Sequence, residues 1–429
     1  MKAVLDAQQF ILGFLIFSTE RESTTTRPPK YNAYLEYLKG MELWTKNEIG
    51  PGNIAVRTSS EIEKHFKNAI SMDPDFLPPY FKLTELFSID RKFLRLDSVL
   101  QILETKQNLF LAGDHLNFTM QKLLISKDWN ALENFLLTKT EVGSSDFRPY
   151  YQLAVNALFR QNKPRKALEY IARCDLTEFD FANKPSDQLI YLVQAEALIK
   201  LKQYDEVVAL TDNFSFKKII PGILVKRWIS LYLTNRKEQV FKELDKHTAT
   251  LIPVKNYYPH MALFRYGQLH GDSVFMLNLY DRFTQLTKVW DEKTQEKTWS
   301  KFVVAVMMYR TKKYMSEAEN LLNQNLPIVP RSRRMHQLGI LYAVTGREAK
   351  ANEVIEDLLS HENEFDNGLT RYYVAKIEAE LGHKEKSVEF LTQSLDKGME
   401  FREDLFEYDA DLKKLMDYPP FIELVKPKE

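Results

Sequence analysis

Only one cysteine, Cys174, occurs in 429 residues, so no internal disulfide braces this chain. Glycine is scarce as well. Its 14 residues leave little material for the tight backbone approaches from which phosphate and cofactor loops are built. Neither G-x-x-x-x-G-K-[ST] nor a helix-opening G-x-G-x-x-G occurs. The 59 basic and 59 acidic side chains cancel, which removes the basic excess that draws a nucleic-acid binder to phosphates. No two of the eight histidines stand three to five residues apart, so no pair shares a helical face as zinc ligands do. No apolar run approaches the roughly 20 residues of a membrane span. Together these absences argue against a loop-built α/β enzyme, a direct nucleic-acid binder and a membrane protein. Cofactor and metal are both expected to be none.

The first 18 residues hold a short apolar run, Phe10 to Phe17, interrupted upstream by Asp6, Gln8 and Gln9. It lacks a basic start and a small-residue exit, so the expectation is an amphipathic connector helix and not a signal peptide. The polar stretch Thr19 to Lys30 closes in Pro28-Pro29 and reads as a linker. Residues 1–30 are therefore expected to form a connector helix and linker, and residues 31–429 a single array. The lone cysteine is compatible with the cytoplasm, and a periplasmic or exported location is left open.

From Tyr31 the pattern is helix, short turn, helix. Its clearest landmark is Phe66-x2-Ala69-x4-Pro74. A large apolar residue, a small residue one turn on, and a proline beyond the helix are the spacings of the second helix of a tetratricopeptide repeat. The small residue lets paired helices approach, and the proline ends the helix. Tyr34, Tyr37, Leu38 and Gly40 fit the first helix, with Gly40 at the close contact; Tyr80, Leu83, Thr84 and Phe87 continue the period. The same grammar returns at Leu153, Ala154, Ala167 and Leu168, and at Ala195, Leu198, Tyr204 and Val207. It returns again at Ala318, Leu322 and Pro330, at Leu338, Gly339, Tyr342 and Ala351, and at Ala375, Leu381, Gly382 and Leu391. Degenerate helix pairs fall around 116–137, 223–244 and 261–286. Each helix carries an apolar stripe it cannot cover alone, so neighbours must stack to bury it. The expectation is an all-α, right-handed α-solenoid of roughly nine or ten antiparallel pairs.

The stretches NAYLEYLKGMELW and HFKNAISMDPDFLPPYFKL resemble the opening of the C-terminal tetratricopeptide region of bacterial signalling proteins. In those proteins the array follows a winged-helix DNA-binding domain, a nucleotide cyclase or a serine/threonine kinase. The close, Tyr408-Asp409-Ala410-Asp411-Leu412-Lys-Lys-Leu415 then Pro419-Pro420-Phe421, resembles the final turn of that region. Leu5-Asp6-Ala7-Gln8-Gln9-Phe10-Ile11 resembles the connector before it. No effector domain precedes the array in this sequence. The resemblance implies a protein-binding scaffold in a bacterial signalling or regulatory assembly.

In such arrays the first helix of each pair lines the concave face. Arg331, Arg333 and Arg334 stand at the entry to a strongly patterned repeat, where they would grip a carboxylate or phosphate. Against that reading, basic residues at a helix start oppose its dipole, and an exposed helix start is the plainer account. By register, Arg148, Tyr151, Glu196, His336, Tyr372 and Lys376 also face inward and complete the candidate ligand-binding set. Asp73 and Asp75 flank a helix end, where backbone N–H groups are the expected partners. Cys174 reads as a packing residue. The expected function is recognition of a protein or peptide without catalysis. The alternatives are a glycan-processing enzyme built on a closed α/α toroid and a DNA-associated transcriptional regulator.

Overall fold

The computed structural model describes residues 28–46, 56–89, 92–141, 148–174, 188–212, 220–248, 257–288, 295–324, 326, 329–363, 366–402 and 405–428, with Ile11. The expected connector helix and most of its linker lie outside the described residues. The chain forms two compact units, residues 1–144 and 145–429.

The N-terminal unit contains α1 (Tyr31–Lys46), α2 (Val56–Met72), α3 (Pro78–Ile89), α4 (Phe93–Glu104), α5 (Ala112–Ser126) and α6 (Trp129–Glu141). On α1 the apolar residues Tyr34, Tyr37, Met41 and Trp44 fall at helical spacing, and α2 answers with Ile62, Phe66 and Ala69. Both Phe66 and Ala69 are fully buried. The close contact expected at Gly40 is there: a Cβ at that position would stand 2.5 Å from Cε1 of Phe66. Leu38 is helical but turned outward, so its place in the repeat pattern is not a core one. Asp73 accepts the amide of Lys30 (2.9 Å), and Asp75 pairs with Lys106 (2.8 Å). Both carboxylates thus have structural partners.

Among the described residues the C-terminal unit continues the grammar through seven pairs. These are α7 (Arg148–Val155) with α8 (Pro164–Ile171), α9 (Leu189–Lys200) with α10 (Tyr204–Asp212), and α11 (Pro221–Leu233) with α12 (Lys237–Thr248). Then follow α13 (Tyr257–His270) with α14 (Ser273–Thr287), α15 (Gln295–Arg310) with α16 (Met315–Asn323), α17 (Arg331–Val344) with α18 (Glu348–Ser360), and α19 (Leu369–Leu381) with α20 (Lys384–Asp396). A π-helical turn, Asn156–Arg160, prolongs α7. Each helix packs on its partner, and the first helices α9, α11, α13, α15, α17 and α19 also pack on one another in order. That pair-plus-next-pair pattern is the tetratricopeptide-like arrangement, and no strand occurs among the described residues.

The turn inside each of the eight pairs from α5–α6 to α19–α20 repeats as well. Lys127, Asn162, Lys202, Asn235, Gly271, Lys312, Gly346 and Gly382 all take positive φ just beyond the first helix. At six of these turns the following amide reaches back five residues: Gln203 to Leu198, Arg236 to Leu231, Asp272 to Gly267, Lys313 to Met308, Arg347 to Tyr342 and His383 to Glu378. This is the Schellman closure, which satisfies helix-end carbonyls through one left-handed residue. Five of the eight positions are Lys or Asn, each at a strain cost of about 1–2 kcal/mol. The fold thus keeps its glycine content low by placing L-residues in a conformation glycine would adopt without strain.

After α20 no further helix pair occurs among the described residues. Residues 399–402 and 405–428 include two 3-10 turns, Phe406–Tyr408 and Ala410–Leu415, and a short α21 (Pro419–Val425). Within this segment Phe401, Phe406, Leu412, Leu415, Phe421 and Val425 belong to the same core as the first helices of the array.

Candidate functional site

The C-terminal segment lies on the face made by the first helices, the face on which sequence reasoning placed a groove. Two helices grip its centre, and two more hold that grip in place. On α19, Tyr372 and Lys376 stand one turn apart and share a face. Arg310 ends α15 after the apolar run Phe302 to Tyr309, where a cation suits the helix dipole. Gln268 on α13 and Gln337 on α17 flank it.

These residues close on two carboxylates. Asp409 accepts the Tyr372 hydroxyl (2.8 Å) and pairs with Lys376 (2.9 Å), while its second oxygen caps the 3-10 turn by accepting the Asp411 amide (3.1 Å). Asp411 meets Lys376 at 2.6 Å and Arg310 at 2.5 Å. The rest of the Arg310 fork donates to Gln268 (2.6 Å) and Gln337 (3.2 Å). The Phe406 amide donates to the Tyr372 hydroxyl (3.0 Å), so one phenol binds both sides of the turn. The side chains of Arg310, Lys376, Asp409 and Asp411 are at most 4% exposed. Burial opposes ionisation of Asp411, but Arg310 and Lys376 outweigh it and hold that carboxyl well below its usual range. Charges this deep are tolerated only when paired and hydrogen-bonded, and here two cations face two anions.

Further along the face, Lys200 on α9 sits 3.5 Å from Glu407 and donates to Asn162 (3.3 Å). Burial pushes the Glu407 carboxyl up, with Lys200 pulling the other way. Asn162, the left-handed turn residue after α7, donates to the Val425 carbonyl (2.9 Å) and accepts the Lys428 amide on its own carbonyl (2.8 Å). The Phe401 amide bonds the Phe159 carbonyl (2.6 Å) in the π turn. The segment is thereby tied to α7, α9, α15 and α19 at once.

Of the expected binding residues, Glu196, His336, Tyr372 and Lys376 do sit on the first helices, but all four are buried and engaged. Glu196 pairs with Lys226 (3.2 Å) on α11, and His336 stacks on Tyr373 with ring centres 3.9 Å apart. Burial first, then the Lys376 charge, depresses the His336 imidazole and keeps it neutral. Tyr151 is half-buried, its phenol pushed up to about 12 by burial and by the Glu196 charge. Arg148 opens α7, and its side chain lies outside the described residues. The three arginines do not pool. Arg331 donates to Asp357 (2.6 Å), Arg333 lies over the Trp299 ring (5.6 Å), and Arg334 caps the Leu322 carbonyl (2.9 Å). The face is charged at its centre and covered by the chain itself.

Arg310, Gln268, Gln337, Lys200 and Asn162 are site residues that the sequence reading missed. A signal for two of them exists: FVVAVMMYR and LIYLVQAEALIK each end an apolar helix in a cation at a position where the neighbouring helices leave little solvent. Elsewhere, Cys174 is buried with its thiol pushed up to about 11, which fits a packing residue. Among the described residues no cluster of three His, Cys, Asp or Glu side chains suits a metal ion. A shallow depression of about 410 Å³ in the N-terminal unit is lined by Ser60, Glu63, Lys64, Lys67, Asn68 and Arg95, and Glu63 there pairs with Arg95 and Lys67.

No protein-family model matches the chain, and no curated protein matches it. Among solved structures it is similar to the complex of Naa15 and Naa10 bound to HypK-THB. The identity is 12% and the TM-score 0.25, with 84% of this chain and 57% of that chain covered. A likeness at that level carries no argument about function, and this chain spans little more than half of the other. The helical-repeat architecture stands on the pairing of the helices themselves.

Proposed function

We propose that this chain is a non-catalytic helical-repeat scaffold that recognises a protein or peptide segment. One observation carries the reading: the first-helix face of the C-terminal unit already holds a stretch of polypeptide that belongs to no repeat pair, through side chains of α9, α15 and α19 and of the turn after α7. A face that orders a peptide by paired charges and apolar sockets has the physical equipment of peptide recognition, and no bond need be made or broken on it. The setting is a bacterial signalling or regulatory assembly, as the resemblance at both ends of the array implies, and the lone cysteine is compatible with the cytoplasm. No helix among the described residues is long and apolar enough to cross a membrane.

The test is purification of the full chain from cells that make it, with cross-linking and mass spectrometry. The expected result is a stoichiometric partner cross-linked to lysines of the array. A chain recovered alone under gentle conditions, at the mass of a monomer, would sink the reading.

A further inference from the structure

The first-helix face is charged at its depth, and that is unusual for a surface meant to stay covered. Replacing a buried ion pair by apolar residues of similar volume is often neutral or stabilising, so a permanent lid gains nothing from this chemistry. A face that is at times uncovered does gain, because Arg310, Lys376 and Lys200 rehydrate when the cover leaves, and an apolar trough would aggregate. The cover has matching chemistry. Phe406 is fully buried, Asp409 and Asp411 meet Lys376 and Arg310, and Leu412 and Leu415 are fully buried on the same turn.

We infer that residues 399–428 are the resident ligand of a peptide site, and that its external ligand is a partner segment of the same chemistry. Such a segment is acidic and aromatic: an aromatic anchor, two carboxylates spaced as Asp409 and Asp411, and aliphatic residues at the spacing of Leu412 and Leu415. The inference deepens the scaffold reading and rests on it. The resident segment competes with the partner by tether. Its effective concentration is on the order of millimolar, so a free peptide at micromolar concentration does not displace it unless its hold is weakened.

Two measurements on the full chain test this. The first is native-state hydrogen exchange of the wild-type protein. The amides of Phe406, Asp411 and Leu412 are expected to exchange through an opening that leaves the amides of α15 and α19 protected. Exchange of all three only in step with those helices would show a permanent element of the core and overturn the inference. The second uses the variant carrying Asp409→Asn and Asp411→Asn, with a fluorescent synthetic peptide of residues 399–429 as probe. The variant is expected to bind the peptide at least tenfold more tightly than the wild-type chain does. A peptide with the same two Asp→Asn changes is expected to bind at least tenfold more weakly than the unchanged peptide.

If the segment opens but the peptide does not bind, the face is no site, and the scaffold reading survives only through partners recovered on another surface. Equal binding of both peptides would remove the acidic class of ligand. Should the double variant fail to fold, the wild-type exchange experiment decides alone, and Asp409→Asn by itself supplies the milder variant for the peptide.

Discussion

At the residue scale, Arg310 is the least replaceable side chain on the site. Its guanidinium is held by Asp411, Gln268 and Gln337 at the end of an otherwise apolar helix. Arg310→Leu would leave Asp411 with Lys376 alone, and orphaning one partner of a buried ion cluster costs about 3–5 kcal/mol. Urea titration of the full chain measures it, and a loss below about 1 kcal/mol would show that the cluster is not coupled to stability. His336 gives a second prediction, through pH. Its folded imidazole lies far below the usual 6.5 because burial, and then Lys376, disfavour the charged ring, with Arg333 and Arg310 adding to this and Asp411 opposing it. In the unfolded chain the ring protonates below about 6.5, so the unfolded state binds the extra proton. Stability from this group is therefore complete above pH 6.5 and falls as the pH drops, by up to about 1.4 kcal/mol per pH unit. His336→Phe keeps the stack on Tyr373 and removes the proton site. Its stability between pH 6.5 and 5 should be flatter than that of the wild type, and superimposable profiles would contradict the assignment.

At the scale of the element, the helix pair is the unit, and one close joint in the N-terminal unit is Gly40 against Phe66. A Cβ there would meet a fully buried aromatic ring that is itself in contact with Tyr37 and Trp44. Gly40→Ala gains about 1 kcal/mol in helix propensity but overpacks the joint by about 1–3 kcal/mol, so a net loss of up to about 2 kcal/mol is expected. Gly113 is the control, since nothing lies within 4 Å of its added Cβ and alanine there should stabilise. Phe66→Leu in the Gly40→Ala background should recover part of the loss, and strict additivity would show that the two sites do not touch. This joint was legible in the sequence, because Gly40, Phe66 and Ala69 obey local spacings that stacking imposes. The site was legible only in part. The first-helix register placed Tyr372, Lys376, His336 and Glu196 on the correct face. Their partners could not be read, since Asp411 lies 101 residues from Arg310 and Val425 lies 263 from Asn162. No periodicity encodes such pairs. The motif around Asp409 was visible as an ending of the array, but nothing in its pattern says that the ending turns back across the helices.

At the scale of the whole C-terminal unit, that return changes what kind of object the array is. A repeat array held only by nearest neighbours frays from its ends, because each pair is stabilised by the pairs beside it. Here one segment bonds Asn162 near the start of the unit and Lys376 near its end. It adds contacts of long sequence range to an otherwise local design, so no pair between α7 and α19 is free to melt alone. Single-tryptophan variants make this measurable. Trp228 is buried on α11, and Trp299 lies on α15 beneath Arg333. In the wild-type background the two probes should unfold at one urea midpoint and with one slope, as a single cooperative block. With Asp409→Asn and Asp411→Asn the segment's hold is weakened, nearest-neighbour behaviour returns, and the two midpoints should separate. Probes that part company already in the wild-type chain would mean that the segment rests on the array without fastening it. Probes that stay together in the variant would mean that the stacked helices alone carry the cooperativity.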